Sequence, residues 1–118
     1  MVKLRQLIAE FRFLILAASA VGFAIIAYLS LQPWAAPPGG GMDKLIHLGV
    51  YAAAVVLPVA AAPSRRSALL LAFCGFLLGL GLEWLQGFVP GRAASLGDAV
   101  ANTIGVFIGS AIGFKLRR

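Results

Sequence analysis

Four apolar runs, each close to the length of a bilayer span, leave this chain few ways to fold. Residues 13–31 carry no charge. Residues 45–62 hold His47 and Tyr51 as their only ionisable groups, residues 68–89 hold Glu83 near their end, and residues 96–114 hold Asp98 near their start. A ~30 Å hydrocarbon layer is crossed by ~20 helical residues. Backbone groups in lipid have no water to bond, so each run must satisfy its own hydrogen bonds as a helix. The expected architecture is an all-α membrane protein, a four transmembrane helix bundle in which residues 1–118 form a single domain. Composition agrees: 61% of the 118 residues are hydrophobic and 12% charged, against roughly 45–50% and 25% in soluble domains.

The connections are short. Residues 32–42 hold Pro33, Pro37, Pro38 and Gly39 to Gly41, an irregular loop. Residues 63–67 read as a tight basic turn and residues 90–95 as a second turn containing Arg92. Ahead of the first span, Leu4, Leu7, Ile8 and Phe11 recur at helical spacing among polar residues, so residues 2–12 are expected to lie along the membrane surface. The first apolar run exceeds the ~7–15 residues of a secretory signal core, and it reads as an uncleaved helix. The single cysteine, Cys74, excludes an internal disulfide and reads as a small core residue.

The net charge of +6 does not mark a nucleic-acid partner, because the basic residues sit in small groups at the ends of apolar runs. With the N-terminus in the cytoplasm, Lys3, Arg5, Arg12, Arg65, Arg66, Lys115, Arg117 and Arg118 lie inside and only Lys44 and Arg92 outside, eight against two. That is the positive-inside pattern, and it places both termini in the cytoplasm. Tyr28, Trp34, Tyr51 and Trp84 then fall in the outer half, where aromatic rings anchor at the interface.

This orientation gathers the polar side chains. Asp43, Glu83 and Asp98, three of the four acidic residues, collect at the outer ends of the second, third and fourth spans with His47, the one histidine. Lys44, Tyr51, Gln86, Arg92 and Asn102 join them. Asp43, His47 and Tyr51 stand at i, i+4 and i+8, one helix face, with Tyr51 about 12 Å below Asp43 at 1.5 Å per residue. Glu83 and Gln86 are i, i+3; Asp98 and Asn102 are i, i+4. Gly105, Gly109 and Gly113 continue the Asn102 face, and Gly75 and Gly79 the Glu83 face, where small residues let helices approach closely. Ionisable groups at membrane depth are costly and usually functional. Plainer readings stand beside this one. Ser95 to Asp98 fits a capping box, Tyr51 an interface anchor, and Glu83 an ion pair with Arg92 or Lys44.

The ordered set Asp43-Lys44-x-x-His47-x-x-x-Tyr51, Glu83-x-x-Gln86, Arg92, Asp98-x-x-x-Asn102-x-x-Gly105 resembles the VanZ-like membrane family over residues 43 to about 113. The resemblance implies work at the bacterial cell envelope, in the inner membrane, and an association with glycopeptide (teicoplanin) resistance.

Three functions fit the residues. One is a site for an anionic membrane lipid or lipid-linked cell-wall precursor, with Lys44 and Arg92 clamping a phosphate and Asp43, Tyr51, Gln86 and Asn102 binding around it. The second is an enzyme on the same site, with His47 and Glu83 as general base and acid and Asp98 orienting one of them. The third is a small proton-coupled transporter using Glu83; a purely structural partner subunit is a further alternative. No metal site is expected, no cofactor is identified, and the oligomeric state is unspecified.

Overall fold

In the computed structural model, which describes residues 1–117, the chain forms five helices: α1 (Val2–Glu10), α2 (Arg12–Ser30), α3 (Met42–Ala61), α4 (Arg65–Gln86) and α5 (Leu96–Arg117). The last four are long and apolar enough to cross a membrane. Arg118, counted above with the basic C-terminal group, lies outside the described residues.

α1 is the expected short helix ahead of the first span. It breaks from α2 at Phe11 (φ −96°, ψ 19°) and buries one residue, Ile8, against Ala60 and Ala61 at the end of α3. The arginines at this end close helix C-termini, whose last carbonyls have no partner within the helix. Arg12 Nε donates to the Ala61 carbonyl at 2.9 Å, an Arg117 guanidinium N–H to Ala62 at 3.1 Å, and Arg5 Nε to Leu116 at 3.2 Å. A positive group there also opposes the negative end of the helix dipole.

The core lies among α3, α4 and α5. Tyr51, Val55, Val59, Ala62, Ala68 and Val106 form its buried cluster. α3 and α5 make the most extensive contact, and the glycine face of α5 is the reason. A Cβ at Gly105 would strike the Leu48 carbonyl, one at Gly109 the Ala52 carbonyl, and one at Gly113 would stand 2.8 Å from the Val56 oxygen. Only glycine allows backbones this close. On α4, Gly75 faces Val55 and Gly79 faces Tyr51 and Asn102. Large apolar side chains such as Phe13, Phe73 and Phe107 point outward, as a lipid-facing surface requires.

Three expectations are corrected. α4 starts at Arg65, capped by Ser64, whose Oγ accepts from Ser67 N–H at 3.0 Å, and it ends at Gln86 rather than continuing to residue 89. Phe88 and Val89 prolong the apolar run, but Pro90 disfavours helical backbone before it, and the chain turns through Gly91 at φ +81°. Cys74 is exposed on the outer surface of α4, not in the core. Tyr51 is no interface anchor: at 3% exposure it is packed inside the bundle.

Candidate functional site

The site is built at the end of the bundle away from both termini, where the first turns of α3 and α5 meet the last turn of α4. Lys44 reaches across from α3 to α5, its Nζ 3.4 Å from Asp43 Oδ2 and 3.5 Å from Asp98 Oδ1. Its chain runs over Gly97, where a Cβ would come within 2.7 Å of Lys44 Cε. Gly97 is therefore part of the site, and its place beside Asp98 in the first turn of α5 was the only signal for it.

One turn down α3, His47 is held from two sides. Its Nδ1 lies 2.9 Å from Asn102 Oδ1, and its Nε2 3.9 Å from Asp98 Oδ2. With the Asn102 oxygen as acceptor, Nδ1 carries the hydrogen, and in the neutral ring Nε2 is the free base. Asp98 thus stands between the ammonium and the imidazole. Asn102, 3% exposed, is buried beneath them.

Glu83 does not join that chain directly. Its Oε1 accepts the backbone N–H of Ser95 at 2.7 Å, while Ser95 Oγ accepts the Asp98 N–H at 3.3 Å. The start of α5 is therefore a divided capping box. Ser95 supplies one half as expected, but the returning carboxylate comes from α4, which frees Asp98 to face Lys44 and His47. Among the described residues Glu83 makes no ion pair with Arg92 or Lys44. Its Oε2 is buried without a hydrogen-bond partner.

Gln86 has a structural bond beyond the ligand contact expected of it. Its Nε2 donates to the Ser30 carbonyl at 2.9 Å, tying the end of α4 to the end of α2. Arg92 rises from the α4–α5 turn, and its Nη1 is buried with no partner among the described residues.

These groups line two adjoining spaces. A polar cavity of about 220 Å³ is lined by Asp43, His47, Gln86, Arg92, Ser95 and Asp98, with Pro37 of the long loop over it. A more apolar one of about 150 Å³ lies beside it, against Ile26 and Leu29 of α2 and Tyr51 of α3. His47, Arg92 and Pro37 belong to both walls. Asn102 and Glu83 stand behind the cavity, holding His47 and Ser95 in place. Among the described residues no three His, Cys, Asp or Glu side chains are disposed to hold a metal ion.

The model of one protein family, VanZ/LLP1, matches residues 4–117. The chain belongs to the VanZ/LLP1 family. The match runs from α1 to the end of α5, so the family unit takes in α1 and α2 as well as the three helices that carry the polar set. No curated protein and no solved structure matches the chain. Within this VanZ/LLP1 chain, the arrangement offers two cationic side chains, an oriented imidazole and three carboxylates. Ser95, the one serine near enough to be considered as a nucleophile, spends its hydroxyl and its N–H on the start of α5.

Proposed function

We propose that this VanZ/LLP1 protein is a multi-pass bacterial inner-membrane protein of the cell envelope, with both termini cytoplasmic. Its polar cavity, near the outer leaflet, binds or modifies an anionic lipid or lipid-linked cell-wall precursor. The observation that carries the reading is the buried, unpartnered Nη1 of Arg92 in the wall of that cavity. A buried guanidinium N–H without an acceptor is expensive, and a phosphate oxygen is the acceptor its planar fork fits best. Lys44, 48% exposed in its side chain, supplies a second cation beside Asp98. Aromatic side chains at this end, Trp34 and Trp84, are exposed and suited to the headgroup region. A cell-wall precursor as ligand would connect the cavity with the glycopeptide resistance that the family resemblance implies.

His47 gives the site a means of acting on its ligand as well as holding it. Asn102 fixes the ring through Nδ1 and leaves Nε2, 3.9 Å from Asp98, as the nitrogen available to act as a general base. Proton-coupled transport finds less support, because below Tyr51 the interior is filled by Val55, Val59 and the glycines of α5.

Two experiments test the reading. Gentle extraction followed by mass spectrometry should find an anionic lipid retained by the parent protein and lost from Arg92→Ala; the same lipids on both would refute the clamp. For orientation, single cysteines are placed in a Cys74→Ala background at Ser64 and Ala94, both exposed. A membrane-impermeant reagent should label Ala94→Cys in whole cells and spare Ser64→Cys. The reverse pattern would put the cavity on the cytoplasmic side.

A further inference from the structure

α2 is tied at its two ends and packs on the bundle between them through Phe23 and Ile26. Arg12 at its start bonds the Ala61 carbonyl, and the Ser30 carbonyl at its end accepts from Gln86. None of its residues is buried. Apolar grooves run along both sides, about 640 Å³ between α2 and α3 and about 630 Å³ between α2 and α4.

The two grooves are not equivalent. The α2–α3 groove shares Ile26 and Val50 with the 150 Å³ cavity, which in turn shares His47 and Arg92 with the polar cavity. The α2–α4 groove shares no wall residue with either. The groove and the two cavities therefore adjoin in series, from hydrocarbon depth to the unpartnered Arg92 N–H.

The walls of that groove include small residues on both helices. Ala18 and Gly22 of α2 face Ala53 and Ala54 of α3. Small residues opposite one another normally draw membrane helices together, as they do between α5 and α3. Here an added Cβ at Gly22 meets nothing within 4 Å. The groove spans residues 14 to 26 of α2, about 18 Å of helix at 1.5 Å per residue. One leaflet of a bilayer is about 15 Å of hydrocarbon. The channel thus has the length of a lipid chain, an apolar lining, and a cation at its polar end.

We propose that the anionic lipid enters sideways from the membrane between α2 and α3, laying one hydrocarbon chain along this groove while its phosphate reaches Arg92. The inference rests on the anion-binding reading above and adds a second requirement, a long chain.

The test measures binding of dioleoyl phosphatidylglycerol and of its short-chain dihexanoyl analogue to purified protein. Gly22→Phe fills the α2–α3 groove and Cys74→Phe the α2–α4 groove. Gly22→Phe is expected to weaken the long-chain lipid about tenfold or more, some 1.4 kcal/mol, and to leave the analogue unchanged; Cys74→Phe should leave both unchanged. Arg92→Ala should weaken both. Parent-like long-chain binding by Gly22→Phe, or equal losses in the two phenylalanine variants, overturns the groove. Unchanged binding of both probes by Arg92→Ala overturns the headgroup reading instead. A mid-chain photoreactive phosphatidylglycerol on the parent protein gives an answer that needs no variant. Adducts within residues 18–26 and 50–57 support the groove, and adducts spread equally over residues 67–78 refute it.

Discussion

Gly109→Val is expected to separate α3 from α5 and to remove both the fold and the site. The added Cβ would run into the Ala52 carbonyl, which is helix backbone and has no rotamer by which to yield. Overpacking commonly costs about 1–3 kcal/mol and sometimes more; with backbone on the far side, the upper end is expected. The damage would not stay local. α3 carries Lys44 and His47, and α5 carries Asp98 and Asn102, so parting the two helices breaks the Lys44–Asp98 pair and the His47–Asn102 hydrogen bond together. Gly81→Ala is the matched control, because nothing lies within 4 Å of its added Cβ. Thermal unfolding in detergent should show a large drop and aggregation for Gly109→Val and near-parent behaviour for Gly81→Ala. Equal melting of parent and Gly109→Val would mean that α3 and α5 do not meet as described.

Replacing Glu83 is expected to give two different results according to the substitute. Glu83→Ala removes the acceptor of the Ser95 N–H and leaves that part-buried donor unpaired, a loss of about 1 kcal/mol. It also cuts the tie between α4 and the start of α5. Glu83→Gln keeps an oxygen in reach of Ser95, and its amide nitrogen takes the place of Oε2, exchanging one unpartnered buried group for another. The glutamine variant should therefore insert, fold and melt close to the parent. It cannot carry negative charge or exchange a proton, and it is expected to fail in a cell-envelope stress assay. Retained lipid binding in that failing variant would assign the residue to proton chemistry rather than headgroup recognition. A stability loss in Glu83→Gln as large as in Glu83→Ala would contradict the bond to Ser95 as the main role of the carboxylate.

Much of this was readable from spacing alone. The inward faces of α4 and α5 followed from Gly75 and Gly79 and from Gly105, Gly109 and Gly113, and the faces that carry His47 on α3 and Asp98 and Asn102 on α5 followed from i, i+4 steps. Spacing fixes a face on one helix, but not which neighbour meets it. That is why the partner of Glu83 was sought among the cations and proved to be the Ser95 backbone. Cys74, read as a core residue, was misplaced for another reason. In a membrane protein the core and the lipid are both apolar, so hydrophobicity carries little information about inside and outside. The end of α4 was set by turn chemistry at Gly87 and Pro90 rather than by the apolar run that passes through them.

The most direct test of the phosphate clamp is the affinity of purified protein for an anionic and a zwitterionic phospholipid with identical chains. The parent should prefer the anionic lipid by about tenfold or more, equivalent to about 1.4 kcal/mol. Arg92→Ala should lose that preference while melting near the parent temperature, since the Arg92 Nη1 has no protein partner to leave stranded. An anionic preference of the same size in Arg92→Ala and parent would contradict the account.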